Sequence, residues 1–196
     1  NPLTLRLLCM LDTQKAGLPT RRDEVYDRAI ETLIRTWPAA RLSRRAKVTP
    51  EALRQALAVL ACWQHEHGRR TVSRKELLCE LGRNLPGVKS KTRAQLAEYC
   101  VATATEHAGI LIEQSPDTFA FLHLTFMEYL AAEHYIRTNQ LSVLLTRRAD
   151  GRYSQVIRFA AGALTQAVTS PDLADSFVRQ LAEAHHLVAV GVGRAR

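Results

Sequence analysis

Apolar positions recur at three- and four-residue spacing through most of the chain, the period of a helix with one buried side. Leu3, Leu5, Leu7, Leu8 and Leu11 predict a first helix, capped by Asn1, with Pro2 at its first position and Gly17 at its end. Thr20 and Asp23 predict the start of a second, along which Tyr26, Ala29, Ile30, Leu33, Ile34 and Trp37 share a face before Pro38 closes it. A polar, basic connection follows from Arg41 to Lys47. Thr49 and Pro50 then open a third helix carrying Leu53, Leu57, Leu60 and Ala61, with Gly68 as its stop. Ser73 and Glu76 have capping-box spacing and start a short helix to Gly82, its inner face Leu77, Leu78 and Leu81. From Ser90 a longer helix carries Leu96, Ala97, Cys100, Val101 and Ala104 and ends near Gly109.

Only there does the period change. Ile110 to Glu113 and Thr118 to Leu122 are short β-prone runs joined by Gln114-Ser115-Pro116-Asp117, a turn composition, and predict one small hairpin. Three helices followed by a hairpin make a winged-helix pattern. Phe126, Tyr129, Leu130 and Tyr135 return to helical spacing, and further helices are expected at about Gln140 to Thr146, Tyr153 to Val168 and Pro171 to His186. The tail from Val188 to Arg196 predicts a frayed end. The fold class is therefore mainly α: a helical domain over 1–47, a winged helix over 48–138 with one small β-hairpin, and further helices over 139–196.

With 196 residues, 46% of them hydrophobic, the chain has enough apolar surface for a real core. Its four cysteines, Cys9, Cys62, Cys79 and Cys100, lie far apart and are expected as reduced thiols on apolar helix faces. There is no signal stretch and no apolar run near the ~18 residues that mark a membrane span, so a cytoplasmic protein without a membrane partner is expected. The opening Asn1-Pro2-Leu3, without an initiator methionine, reads as an excerpt of a longer polypeptide. The formal charge of +8 admits an acidic partner, but the basic residues fall in short scattered clusters, as on a solvated surface.

Catalysis is not expected of this chain alone. It has no Gly-x-x-x-x-Gly-Lys-Ser/Thr loop, hence no backbone cradle for a triphosphate. Cys62, His65 and His67 carry metal-ligating atoms, but on one helix they cannot all converge, and they read as a core cysteine beside two exposed histidines. Glu128 reads as a surface or helix-terminus carboxylate. His123 stands where the second hairpin strand ends and a helix begins, a place from which an imidazole can donate to an anion without crossing a core. Two other functions stay open on these residues: a nucleic-acid-binding winged-helix regulator and a helical protein-interaction scaffold. Against the first, the long helix has Lys89, Lys91 and Arg93 only at its start, followed by Glu98 and Glu106, and the acidic wing with Glu113 and Asp117 would repel a phosphate backbone.

Two segments carry a family resemblance. Asn1-Pro2-Leu3-Thr4-Leu5-Arg6-Leu7-Leu8-Cys9, then Gly17-Leu18-Pro19, Arg22, Val25-Tyr26 and Trp37, resembles the first helical domain of NACHT proteins, within the STAND class of signal-transducing ATPases. Phe121-Leu122-His123-Leu124-Thr125-Phe126-Met127-Glu128-Tyr129-Leu130-Ala131-Ala132 resembles the end of their winged-helix domain, and Gln155 to Gly162 is similar to the start of their second helical domain. The resemblance implies a regulatory, nucleotide-state-sensing fragment of such an ATPase, with ATP or ADP and magnesium bound by the parent and none held tightly by this piece. It implies that Pro2 packs near the adenine of ADP and that His123 reaches its β-phosphate. It also implies that ADP holds the winged helix on an upstream nucleotide-binding domain of the same polypeptide, and that exchange for ATP frees the parent to open and form a homo-oligomer. A bacterial, defence-like or innate-immunity-like role is the corresponding expectation.

Overall fold

The structure, a computed structural model, describes residues 7–9, 11, 19–41, 49–84, 90–166 and 171–192. Pro2, Gly17 and residues 42–47 of the expected connection lie outside the described residues, whereas its first residue, Arg41, is helical. Residues 7–9 and 11 are helical, as their leucine spacing predicts, and Leu7 and Leu11 are buried.

Helix α1 spans Arg22–Arg41, with Asp23 and Glu24 in its first turn, where the exposed amides favour negative charge. It runs through Pro38 and does not close there. A proline this close to a helix end forfeits one backbone hydrogen bond and leaves only a short stretch beyond it, so the last turn persists. Helix α2, Pro50–Glu66, begins as its sequence predicts, with the Thr49 side chain accepting from the Ala52 amide at 3.1 Å. It ends at Gly68, which takes φ +62°, a conformation glycine adopts without strain.

Strand β1, Thr71–Ser73, then precedes helix α3, Arg74–Asn84. The capping box is present: Ser73 Oγ faces the Glu76 amide at 3.3 Å, while the Glu76 carboxylate accepts from the Ser73 amide at 3.0 Å. Helix α4, Ser90–Ala102, passes into one π-helical turn, Thr103–His107, and Gly109 at φ +62° turns the chain into the wing. The wing consists of β2, Leu111–Ser115, and β3, Thr118–Phe121, joined at Asp117, which also has positive φ. The sheet is antiparallel in the order β1-β3-β2, with Val72 opposite Phe119 and Ile112 opposite Ala120. A single hairpin was expected, and the third strand is the correction. β1 is only three residues long and alternates exposed, buried, exposed, too little apolar signal to read as a strand.

Helix α5, Leu124–Arg137, is the central element, packed against α2, α7 and α1. Residues 125 to 132 are all buried, and the segment lacks a polar stripe because neighbours cover it on several sides. A short helix α6, Leu141–Thr146, and a 3-10 turn, Gly151–Tyr153, lead to α7, Ser154–Gln166, and α8, Pro171–Val192. The helix therefore continues through Val188 to Val192, where a frayed tail was expected. Arg54 of α2 ties three helices together, reaching Asp27 at 2.5 Å and Glu31 at 3.2 Å on α1 and Glu133 at 2.9 Å on α5. No helix among the described residues is long and apolar enough to cross a membrane.

Candidate functional site at the wing–helix junction

The end of β3 is anchored before the junction begins. Phe121 is buried, and the Leu122 amide donates to the Ile110 carbonyl at 2.9 Å, so the chain leaves the sheet at a fixed point. His123 is then extended, at φ −148° and ψ 145°, and occupies the N-cap of α5. Its Nδ1 accepts from the Thr125 amide at 3.2 Å and lies 2.8 Å from Thr125 Oγ1. An imidazole nitrogen that accepts carries no proton, so the capping contact assigns the neutral ring its proton on Nε2. Nε2–H has no partner among the described residues. It is a donor placed at a helix N-terminus, flanked by two exposed apolar side chains, Leu122 and Leu124.

Leu124 also forms the lip of a cavity of about 270 Å³ whose wall includes His65, Met127, Glu128, Arg69, Arg70 and Arg152. Glu128 is not the surface carboxylate expected: it is 8% exposed, on the part of α5 that neighbouring elements enclose. Burial raises its pKa, and the charges of Arg22 and Arg70 partly oppose the rise. His65 is likewise buried rather than exposed. Its Nε2–H donates to the Arg152 carbonyl at 3.1 Å and its ring meets Tyr153 edge-on at 4.6 Å, because the 3-10 turn before α7 packs over this end of α2. Burial lowers the His65 pKa. His67 is exposed, with Nδ1 2.7 Å from the Trp63 carbonyl.

The cysteines divide. Cys62 and Cys100 are buried, and burial pushes both thiols up to about 12, which leaves them unreactive at neutral pH. Cys9 and Cys79 are exposed, against the expectation that all four would pack inward. No group of three histidine, cysteine or carboxylate side chains is arranged to hold a metal among the described residues.

The face a DNA-reading winged helix would present carries charges of both signs, with Arg93 exposed near the start of α4. Glu98 on α4 is paired with Arg74 at 2.5 Å, Glu106 stands exposed on the π turn, and in the wing Glu113 accepts from the Asp117 amide at 2.9 Å. Of the two positions expected to meet nucleotide, His123 stands at the junction as a free donor, and Pro2 lies outside the described residues. The spacing of residues did not mark Glu128 or His65 as cavity-lining, although Glu128 is the only charge in the run from Leu124 to Ala132 and could have been noticed on that ground.

Comparison with curated proteins and with solved structures found no match. A family model described as the winged helix-turn-helix domain C-terminal to NACHT matches residues 22–135, from the first residue of α1 almost to the end of α5. The match covers the three strands, the junction and most of the helix that His123 caps. The chain therefore belongs to the family of winged helix-turn-helix domains that follow NACHT domains.

Proposed function

We propose that this winged helix is the regulatory, nucleotide-state-sensing part of a NACHT signalling ATPase, latching the ADP-bound closed state and releasing when ATP takes its place. The observation that carries the reading is the single donor left on His123. Nδ1 is committed to the Thr125 amide, which leaves Nε2–H at the start of α5 as a directional donor suited to a phosphate oxygen. A diphosphate would supply the matching acceptors and the negative charge that a helix N-terminus favours. Pro2 is proposed to pack beside the adenine, a task for a rigid apolar ring without an N–H. Leu122 and Leu124 would be covered when the winged helix docks on the upstream nucleotide-binding domain, and homo-oligomerisation would follow its release. The phosphate loop and magnesium ligands belong to that upstream domain. Duplex DNA is a poorer partner, because Glu106, Glu113 and Asp117 are exposed where phosphates would lie.

The test separates capping from nucleotide contact in the full-length parent. Asparagine is a better helix cap than histidine but is too short to place a donor where Nε2–H stands. His123→Asn is expected to keep the fold and to lose co-purified ADP, with a shift toward the open, oligomeric form by light scattering. Full ADP occupancy and unchanged dormancy in His123→Asn would overturn the latch.

A further inference from the structure

The cavity beside the junction is lined by three guanidinium groups and a single carboxylate. Arg69 and Arg70 follow the end of α2, Arg152 stands in the 3-10 turn before α7, and Glu128 belongs to α5. Two of the arginines are held by partners outside the lining, Arg69 by Glu76 and Arg152 by Asp150, and Arg69 also lies over the Trp63 ring at 5.5 Å. Both keep donors in reserve. Arg152 gives Nε and Nη2 to Asp150, and its Nη1 lies 3.2 Å from where a Cβ on Gly68 would stand, beside another residue of the cavity wall. Arg69 gives Nη1 to Glu76. Arg70 makes no hydrogen bond or salt bridge among the described residues. Guanidinium groups already held in place lose little freedom when an anion adds a second set of contacts.

This composition narrows the ligand. His65 supplies wall only, since its Nε2–H is given to the Arg152 carbonyl. A cation would meet the repulsion of the arginines. For an anion the opposing charge is Glu128, which burial already disfavours and on which Arg22 also acts. Counting Arg22, four cations stand against the carboxylates of Glu76, Glu128 and Asp150, so the balance is positive, and the attraction grows with the charge on the ligand. A phosphoryl dianion therefore gains more than a carboxylate, and it offers more acceptor oxygens to donors arriving from two stretches of chain. Gly68 and Gly151 bring main chain to the wall, and a Cβ built on Gly151 would meet nothing within 4 Å. At about 270 Å³ the space is below the ~300–1,000 Å³ of ordinary small-molecule sites and suits a small ligand.

We infer that the cavity is an anion site for a small phosphate monoester, whose phosphoryl oxygens accept from Arg69, Arg70 and the free Nη1 of Arg152. Glu128 acts against the ligand and so limits how tightly the site can hold it. The inference is independent of whether His123 meets a phosphate.

Nuclear magnetic resonance titration of the isotope-labelled 196-residue chain with inorganic phosphate tests it, at mildly alkaline pH and constant ionic strength, with acetate as the control. The amides of Gly68, Arg70, Gly151 and Arg152 are expected to shift saturably with millimolar phosphate and less with acetate. Arg70→Ala, on an exposed residue, should weaken phosphate about tenfold, the weight of one charge-assisted hydrogen bond. Glu128→Gln keeps the shape and removes the opposing charge, so it should bind phosphate more tightly. His123→Asn should bind as the wild type does, which separates this site from the helix N-terminus. Ribose phosphate and acetyl-phosphoserine amide then tell a metabolite from a modified polypeptide as the source, by the tighter of the two. The site is overturned by shifts that never saturate, by Arg70→Ala binding unchanged, by loss of binding in His123→Asn, by a folded Glu128→Gln chain that binds no better, or by failure of both esters to bind. Should Glu128→Gln fail to fold by circular dichroism, Arg70→Ala and His123→Asn decide between them.

Discussion

Gly162 of α7 lies against Asp23 of α1 so closely that a Cβ at position 162 would stand 2.9 Å from the Asp23 carboxyl carbon and 3.2 Å from its Cβ. The second of these atoms cannot rotate away, so a methyl group there must push the two helices apart. Gly162→Ala is expected to destabilise the chain by about 1–3 kcal/mol, the usual cost of overpacking, despite the better helix propensity of alanine. Thermal unfolding checks this, with a fall of roughly 2–4 °C for each kcal/mol in a chain of this size. An unchanged or raised melting temperature would show that the helices yield freely.

Arg54 is the common partner of carboxylates from two helices, and its loss leaves Glu133 with a guanidinium-shaped gap beside it. Arg54→Met keeps much of the side-chain volume and is expected to cost about 2–3 kcal/mol, less than a fully buried pair because both partners retain some water contact. Burial raises the Glu133 pKa, and the nearby Arg54 charge holds the rise in check. Adding Glu133→Gln to Arg54→Met should therefore recover part of the loss, and denaturant melts of the single and double variants measure the coupling.

Acid should loosen the start of α3. Hydrogen bonds from Arg69, the Ser73 hydroxyl and the Ser73 amide hold the Glu76 pKa at about 2. A carboxylate with a depressed folded pKa stabilises fully above its unfolded pKa, and that contribution is lost as pH falls through the folded value. The Glu76 contribution therefore fades between pH ~4.3 and pH ~2, the unfolded and folded values. Glu76→Gln should flatten the pH dependence of unfolding in that window and leave its shape above pH 5 unchanged, approximately where titration of the unfolded carboxylate is complete.

Glu128 has the opposite sign. Its folded pKa is raised by burial, so it destabilises at neutral pH, and stability grows as pH falls through the folded value. In the unliganded chain Glu128→Gln should raise the melting temperature at pH 7, by roughly 2–4 °C if the relief is about 1 kcal/mol. A lower melting temperature would mean that the carboxylate is already well served by Arg22 and Arg70.

The helices that were legible are those whose ends carry their own chemistry. Thr49 with Pro50, Ser73 with Glu76, and glycines 68 and 109 mark boundaries through local hydrogen bonds and backbone freedom, and the structure uses each of them. What was not legible depends on distant partners. Pro38 interrupts a pattern without ending the helix, β1 exists because β3 passes alongside it, and His65 is buried because a 3-10 turn 87 residues later covers it. At the junction, residue type and position singled out His123, whereas its proton assignment required Thr125 to be seen in place. The cavity gave no periodic signal, since its walls come from three separate stretches of chain.

Tyr26 of α1, Phe126 and Tyr129 of α5 and Phe159 of α7 form a stack of rings with centroids 5.2 to 6.2 Å apart. Rings locked edge to face resist sliding, because a small offset forfeits contact on several of them at once. Phe126 and Tyr129 lie in the first half of α5, close to the end that His123 caps, so that end of the helix is fastened to α1 and α7 together.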